Sequence, residues 1–189
     1  MNVVRFVRQV QYSAVALLVL SAPLMAQGDH HQSPSSQKSA GALVQAVREA
    51  TERFRDVAAA EAEGYGLLFG CVTGPDLGAM GLHYVNLPLV VDGQVDASRP
   101  EIVIYEPTAD GHLRLIGADF LVFAADWDAT HSGAPELMGQ LFHLFEAPNR
   151  FGLPAFYTLH VWAWKDNPNG MFVNWHPKVS CETFSAQNQ

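Results

Sequence analysis

The chain is short of positive charge, of cysteine and of long apolar runs. Only 16% of its 189 residues are charged, and 11 Lys and Arg face 19 Asp and Glu, a net charge of −8. That balance argues against nucleic acid or an anionic membrane as partner, because both recruit proteins through Lys and Arg. The longest unbroken apolar run, Ala14 to Leu20, is far below the roughly 20 residues a spanning helix needs. The short-range metal spacings HxH, HExxH and CxxC are absent too, as is any internal repeat. What remains is a chain that is 49% hydrophobic and 11% aromatic, of a length that buries a sizeable core as one domain.

The first 28 residues read as a secretory signal peptide. Arg5 and Arg8 precede the apolar run, and Ala26-Gln27-Gly28 offers a small-x-small cleavage site. Removing them takes away two arginines and no acid, leaving 9 Lys and Arg against 19 acids and a net charge of −10. The expected location is therefore secreted or periplasmic, with no membrane span. In an oxidising compartment the two cysteines, Cys71 and Cys181, are expected to pair. A bridge closing about 110 residues contributes about 4–5 kcal/mol in chain-entropy models.

Residues 29–39, rich in Ser, Gln and His, read as a disordered linker. Residues 40–189 form the expected single α+β domain. Leu43, Val47, Phe54, Val57 and Ala58 recur at helical spacing, with Arg48/Glu52 and Glu49/Arg53 as i,i+4 pairs, so one long helix is expected over 40–63, stopped at Gly64. A second, short helix fits Pro135 to Phe145. The rest is strand-like. Two β-rich runs flank Asp110-Gly111, which signals a hairpin. The expected architecture is a long N-terminal helix packed on a curved antiparallel sheet or partly open barrel.

Strand alternation then sorts side chains by face. Leu113, Leu115, Gly117, Asp119, Leu121 and Phe123 share one side, which puts a carboxylate in an apolar row. A two-residue turn pairs Glu106 with Leu115 and Ile102 with Asp119. Both acids then face the same way, separated by roughly 13 Å of strand. His83 alternates with Val85 and Leu87. His160 alternates with Phe156, Thr158, Trp162 and Trp164, and the opposite row of that strand is also apolar. A buried carboxylate needs a partner, a metal or a shifted pKa.

Two inward histidines and one inward carboxylate from three strands suit a divalent transition metal with open positions: zinc, copper or iron. The same trio suits an acid/base set, or a structural hydrogen-bonded pair with no cofactor. Aromatic residues crowd the C-terminal third. Tyr84, Glu106, Trp162, Trp164 and His176 are the expected lining of a pocket for a small molecule, with ordinary core as the alternative.

The stretches GAMGLHYVN, PEIVIYEP and LHVWAWKDNPNGMFVNWHPKVSC resemble an uncharacterised family of small secreted bacterial proteins. The resemblance covers most of the chain after the leader and implies an exported bacterial protein. It also implies Glu in the family where this chain has Asp119, and Asn where it has His176. Three functions stay open: a binding protein for a small ligand or metal ion, a metal-assisted or acid/base enzyme on a small organic molecule, and an interaction module without pocket chemistry.

Overall fold

The computed structural model describes residues 34–74 and 76–187. The stretch read as a signal peptide and the start of the one read as a linker lie outside the described residues. The first helix, α1 (Pro34–Thr51), begins within the stretch read as linker. Leu43 and Val47 turn inward and are fully buried, as the apolar spacing requires.

The single helix expected over 40–63 is in fact three pieces. After α1 the chain tightens into a 3₁₀ turn, Glu52–Arg55. Asp56 then leaves helical geometry and caps α2 (Val57–Ala62), its side chain accepting from the Ala58 backbone N–H. An Asx cap of this kind competes with helix continuation. The break also dissolves the expected ion pairs. Arg53 binds Glu63 instead, Arg55 binds Glu52, and Arg48 donates to the Ala163 carbonyl.

Strands β1 (Gly66–Gly74) and β2 (Gly78–Val85) follow, then a one-turn helix α3 (Leu87–Val90). Next come β3 (Ile102–Pro107), β4 (Leu113–Phe123) and the short α4 (Ala124–Asp128). Where a helix fits Pro135 to Phe145, the chain makes a two-strand ribbon, β5 (Glu136–Leu137) and β6 (Gln140–Leu141), and then β7 (His143–Phe145). Met138 and Gly139 both have positive φ, the signature of a primed hairpin turn, and this local turn overrides the helical spacing. β8 (Phe156–Val161) and α5 (Glu182–Gln187) complete the order.

The main sheet is antiparallel in the order β1-β2-β3-β4-β8-β7 and curls into a half-barrel. Both of its faces are apolar. Ala118, Phe120, Val122, Leu159 and Val161 pack under α1, with Leu43 and Val47. Leu82, Tyr84, Val103, Tyr105 and Leu115 continue that face toward Phe54 and Tyr65. Ile102, Ile104, Ile116, Leu121, Phe156 and Trp162 occupy the other face.

The β3–β4 hairpin departs from its expected register twice, and the departures cancel. The loop holds three residues, with Thr108 N–H donating to His112 and Gly111 in a positive-φ conformation. Pro107 therefore faces Leu113, and Glu106 faces Arg114 rather than Leu115. A bulge between Ile104 and Tyr105 on the partner side then adds one residue of β4, so Ile102 faces Asp119 as expected. The bulge also corrects the face assignment. Leu115 lies on the helix side and Ile116 on the opposite side, the reverse of simple alternation.

A disulfide joins Cys71 to Cys181, with Cα atoms 5.7 Å apart. It ties the C-terminal segment to the edge strand β1. That segment runs as an extended cover, touching the sheet through a bridge between Ala79 and His176. No helix among the described residues is long and apolar enough to cross a membrane.

Candidate metal centre

His83, Asp119 and His160 meet on the face opposite α1. One ligand atom from each lies within 4.8 Å of the others, and the residues are 6%, 4% and 2% exposed. Strands β2, β4 and β8 bring them together, with β3 lying between β2 and β4. Asp119 faces His160 across the β4–β8 ladder and Ile102 across β3–β4, while His83 faces Ile104 across β2–β3.

Each side chain is oriented by a further bond. His83 Nδ1 lies 3.2 Å from the Gly81 carbonyl, so this nitrogen carries the proton and donates, leaving the Nε2 lone pair available. Outer-shell carbonyls fix ligating imidazoles in this way. Gly81 can serve because it has φ +97°, and a Cβ there would lie 2.5 Å from the Tyr105 carbonyl oxygen. Thr158, opposite Leu121 in β8, donates to Asp119 Oδ1 at 2.5 Å. That leaves Asp119 Oδ2 pointing at His160.

His160 has no such support. Both of its ring nitrogens are buried and lack a hydrogen-bond partner. Nδ1 lies 3.4 Å from Asp119 Oδ2, a distance at which a protonated ring would form an ion pair. Burial instead pushes the His160 pKa down to about 3, with His143 adding to the effect. The ring is therefore neutral at ordinary pH, and the contact is not an ion pair. Burial likewise pushes His83 down to about 4, helped by the neighbouring His160 and opposed by Asp119. Burial pushes Asp119 up to about 6, opposed by His83 and by the Thr158 hydrogen bond. At pH 7 the set holds two neutral imidazoles and one carboxylate, the protonation states a metal requires.

A small cavity adjoins the three donors. Its volume is about 30 Å³, room for one or two water molecules. Phe69, Met80, Leu121, Phe145, Phe151 and Phe156 form its apolar wall. Phe69 sits in the β1 bulge beside the Leu68–His83 pair, at φ +66°, and packs against Phe151 with ring centres 5.6 Å apart. Non-glycine residues in that conformation gather at functional sites.

The five residues expected to line a ligand pocket do not line this cavity. Tyr84 turns to the helix side and packs edge-on against Tyr105. Glu106 is buried but satisfied, bonded to Arg114 and to Lys165 at 2.6 Å. Trp162 lies behind His160, its Nε1 donating to the Val173 carbonyl. Trp164 lies beyond the end of β8, so alternation no longer governs it. It packs under α1, bonding Thr51 and stacking on Arg55. His176 is fully buried, donating from Nε2 to the Asp166 carbonyl and accepting at Nδ1 from the Lys178 N–H. It is a structural histidine.

Two residues escape sequence reasoning. Glu101 is buried and accepts from the Leu121 N–H at 3.0 Å, extending the ladder past the end of β3. Burial pushes its pKa up to about 8, and the nearby Asp119 adds to this. Its parity with Val103 and Tyr105 was the available signal. Asn174 lines the cavity from the C-terminal cover, and its Oδ1 is buried without a partner. Irregular backbone gives it no periodic signal. Compared with protein families, curated proteins and solved structures, the chain matches none.

Proposed function

We propose that this is an exported bacterial protein that binds one divalent transition metal ion through His83, Asp119 and His160. The observation that carries this reading is His160. A buried polar side chain without partners costs about 1–3 kcal/mol, and two orphaned nitrogens beside a buried carboxylate are a poor structural pair. As a metal ligand, His160 uses one of the two, which leaves a single ring nitrogen unpartnered. Tetrahedral ligands at 2.0–2.1 Å from zinc sit about 3.3 Å apart, close to the 3.4 Å between His160 Nδ1 and Asp119 Oδ2. Two imidazoles and a carboxylate suit zinc, iron or copper. Export is supported by the leader sequence, the family resemblance and the disulfide.

The room beside the donors favours a second reading, a metal-assisted enzyme acting on a small molecule. Three protein ligands with an open position is the catalytic pattern rather than the closed structural one. Metal analysis of protein purified from its native compartment tests the proposal: about one transition-metal ion per chain supports it, and none retained or taken up excludes it.

A further inference from the structure

Three buried side-chain nitrogen or oxygen atoms among the described residues have no hydrogen-bond partner: both ring nitrogens of His160, and Oδ1 of Asn174. Both residues line the same cavity. The metal reading accounts for one ring nitrogen of His160 and leaves the other and Asn174 Oδ1 over. Asn174 approaches from the C-terminal cover, not from the strands that carry the donors. Its backbone is fixed on either side, because Trp162 Nε1 donates to the Val173 carbonyl at 2.6 Å and Asn167 donates to the Trp175 carbonyl at 2.9 Å. The carboxamide is thus a held acceptor facing a cavity with room for one or two waters.

Resting on the metal reading, we infer that Asn174 Oδ1 accepts a hydrogen bond from a protic ligand of one or two non-hydrogen atoms bound at the open position of the metal. In the resting protein that ligand is water. Size excludes a ring or a chelating organic acid, since the cavity holds about 30 Å³ against the 300 Å³ or more of drug-sized sites. Charge points the same way: no Lys or Arg lines the cavity, so an organic anion finds no counter-charge besides the metal. An orphaned acceptor selects a ligand that brings a proton.

The test uses the full-length exported protein loaded with copper(II), with fluoride as an aprotic one-atom probe and imidazole as a ring-sized one. Pulsed EPR in H₂O and D₂O reads exchangeable protons on the metal ligand. Wild-type protein is expected to show a bound water with strongly coupled exchangeable protons, to bind fluoride weakly, and to refuse imidazole. Asn174→Leu is expected to keep copper affinity within about threefold, alter the proton coupling, and bind fluoride about fivefold more tightly, the equivalent of one ordinary hydrogen bond to the displaced water. Asn174→Ala serves if the Leu variant fails to fold. Loss of copper from the variants would make Asn174 a metal ligand and overturn the inference, as would unchanged coupling and fluoride affinity, or imidazole binding to wild type. Failure of wild type to take up copper, seen before any probe is added, would instead remove the metal reading on which the inference rests.

Discussion

His160 and Asp119 face each other across the β4–β8 ladder, with Nδ1 3.4 Å from Oδ2 and no hydrogen bond between them. Asp119 is engaged on its other oxygen by Thr158, while His160 is engaged by nothing. A structural pair would close this gap, since the histidine could donate a proton to the carboxylate and both would gain. The arrangement instead leaves one ligand atom of each, and one of His83, within 4.8 Å of the others.

That asymmetry makes stability and binding oppose each other. His160→Leu removes two unsatisfied polar atoms from the core, so the metal-free protein should gain about 1–3 kcal/mol. Its melting temperature should rise by about 2–4 °C per kcal/mol for a domain of this size. The same change should abolish the stabilisation that added metal confers on wild type. Thermal melts of both proteins with and without zinc check this. A less stable metal-free variant would mean that His160 has a structural partner.

Acid should weaken metal binding through one proton, not three. Both histidines are already neutral above about pH 4, so only Asp119, pushed up to about 6, holds a proton that the metal must displace. Affinity should be flat above pH 6 and fall about tenfold per unit from there toward pH 4. Stability of the metal-free fold runs differently. The histidines have folded pKa values below their unfolded ones, so each favours folding as pH rises toward 6.5. Asp119 has a raised folded pKa and opposes this between about 4 and 6. Glu101, pushed up to about 8, opposes it as well, so stability should rise modestly up to about pH 6.5 and fall from there toward pH 8. Titrations and denaturant melts across pH 4–8 measure both slopes. A hundredfold loss of affinity per unit would show that the histidines titrate as exposed ones do.

The glycines before His83 act on its backbone. Gly81→Ala places a Cβ 2.5 Å from the Tyr105 carbonyl at φ +97°, so it should cost about 1–3 kcal/mol and lower metal affinity by displacing the carbonyl that orients His83. Gly93→Ala is the control: φ is +69° but no atom lies within 4 Å. It should cost about 1–2 kcal/mol and leave metal affinity unchanged. Equal affinities in the two variants would detach Gly81 from the site.

The disulfide closes a separation of 110 residues, and its loss should cost about 2–5 kcal/mol. Intact mass with and without reductant should differ by two protons, and melting in reductant should show the destabilisation. Two free thiols in native protein would contradict the bond.

Alternation brought His83, Asp119 and His160 to one face because each sits in a regular antiparallel stretch, where parity alone decides the side. It failed wherever a single residue breaks parity. The extra residue Ile116 between the Leu115 and Gly117 pairs reverses Leu115 and Ile116, the three-residue loop shifts Glu106, and the end of β8 at Val161 releases Trp164 to the helix side. The Ile102–Asp119 pairing came out as expected only because the loop and bulge compensate. The helix break at Asp56 carries a sequence signal, an Asx cap, but the apolar spacing runs through it. Asn174 had none, because its place depends on how the C-terminal cover folds over the sheet.

The central claim is that these three side chains hold one metal ion, and cobalt(II) titration of the metal-free protein tests it most directly. Wild type should develop visible ligand-field bands that saturate at one equivalent. His83→Ala, Asp119→Asn and His160→Ala should each lose them while keeping wild-type circular dichroism. No saturable bands in wild type, or bands that survive in all three folded variants, would contradict the account.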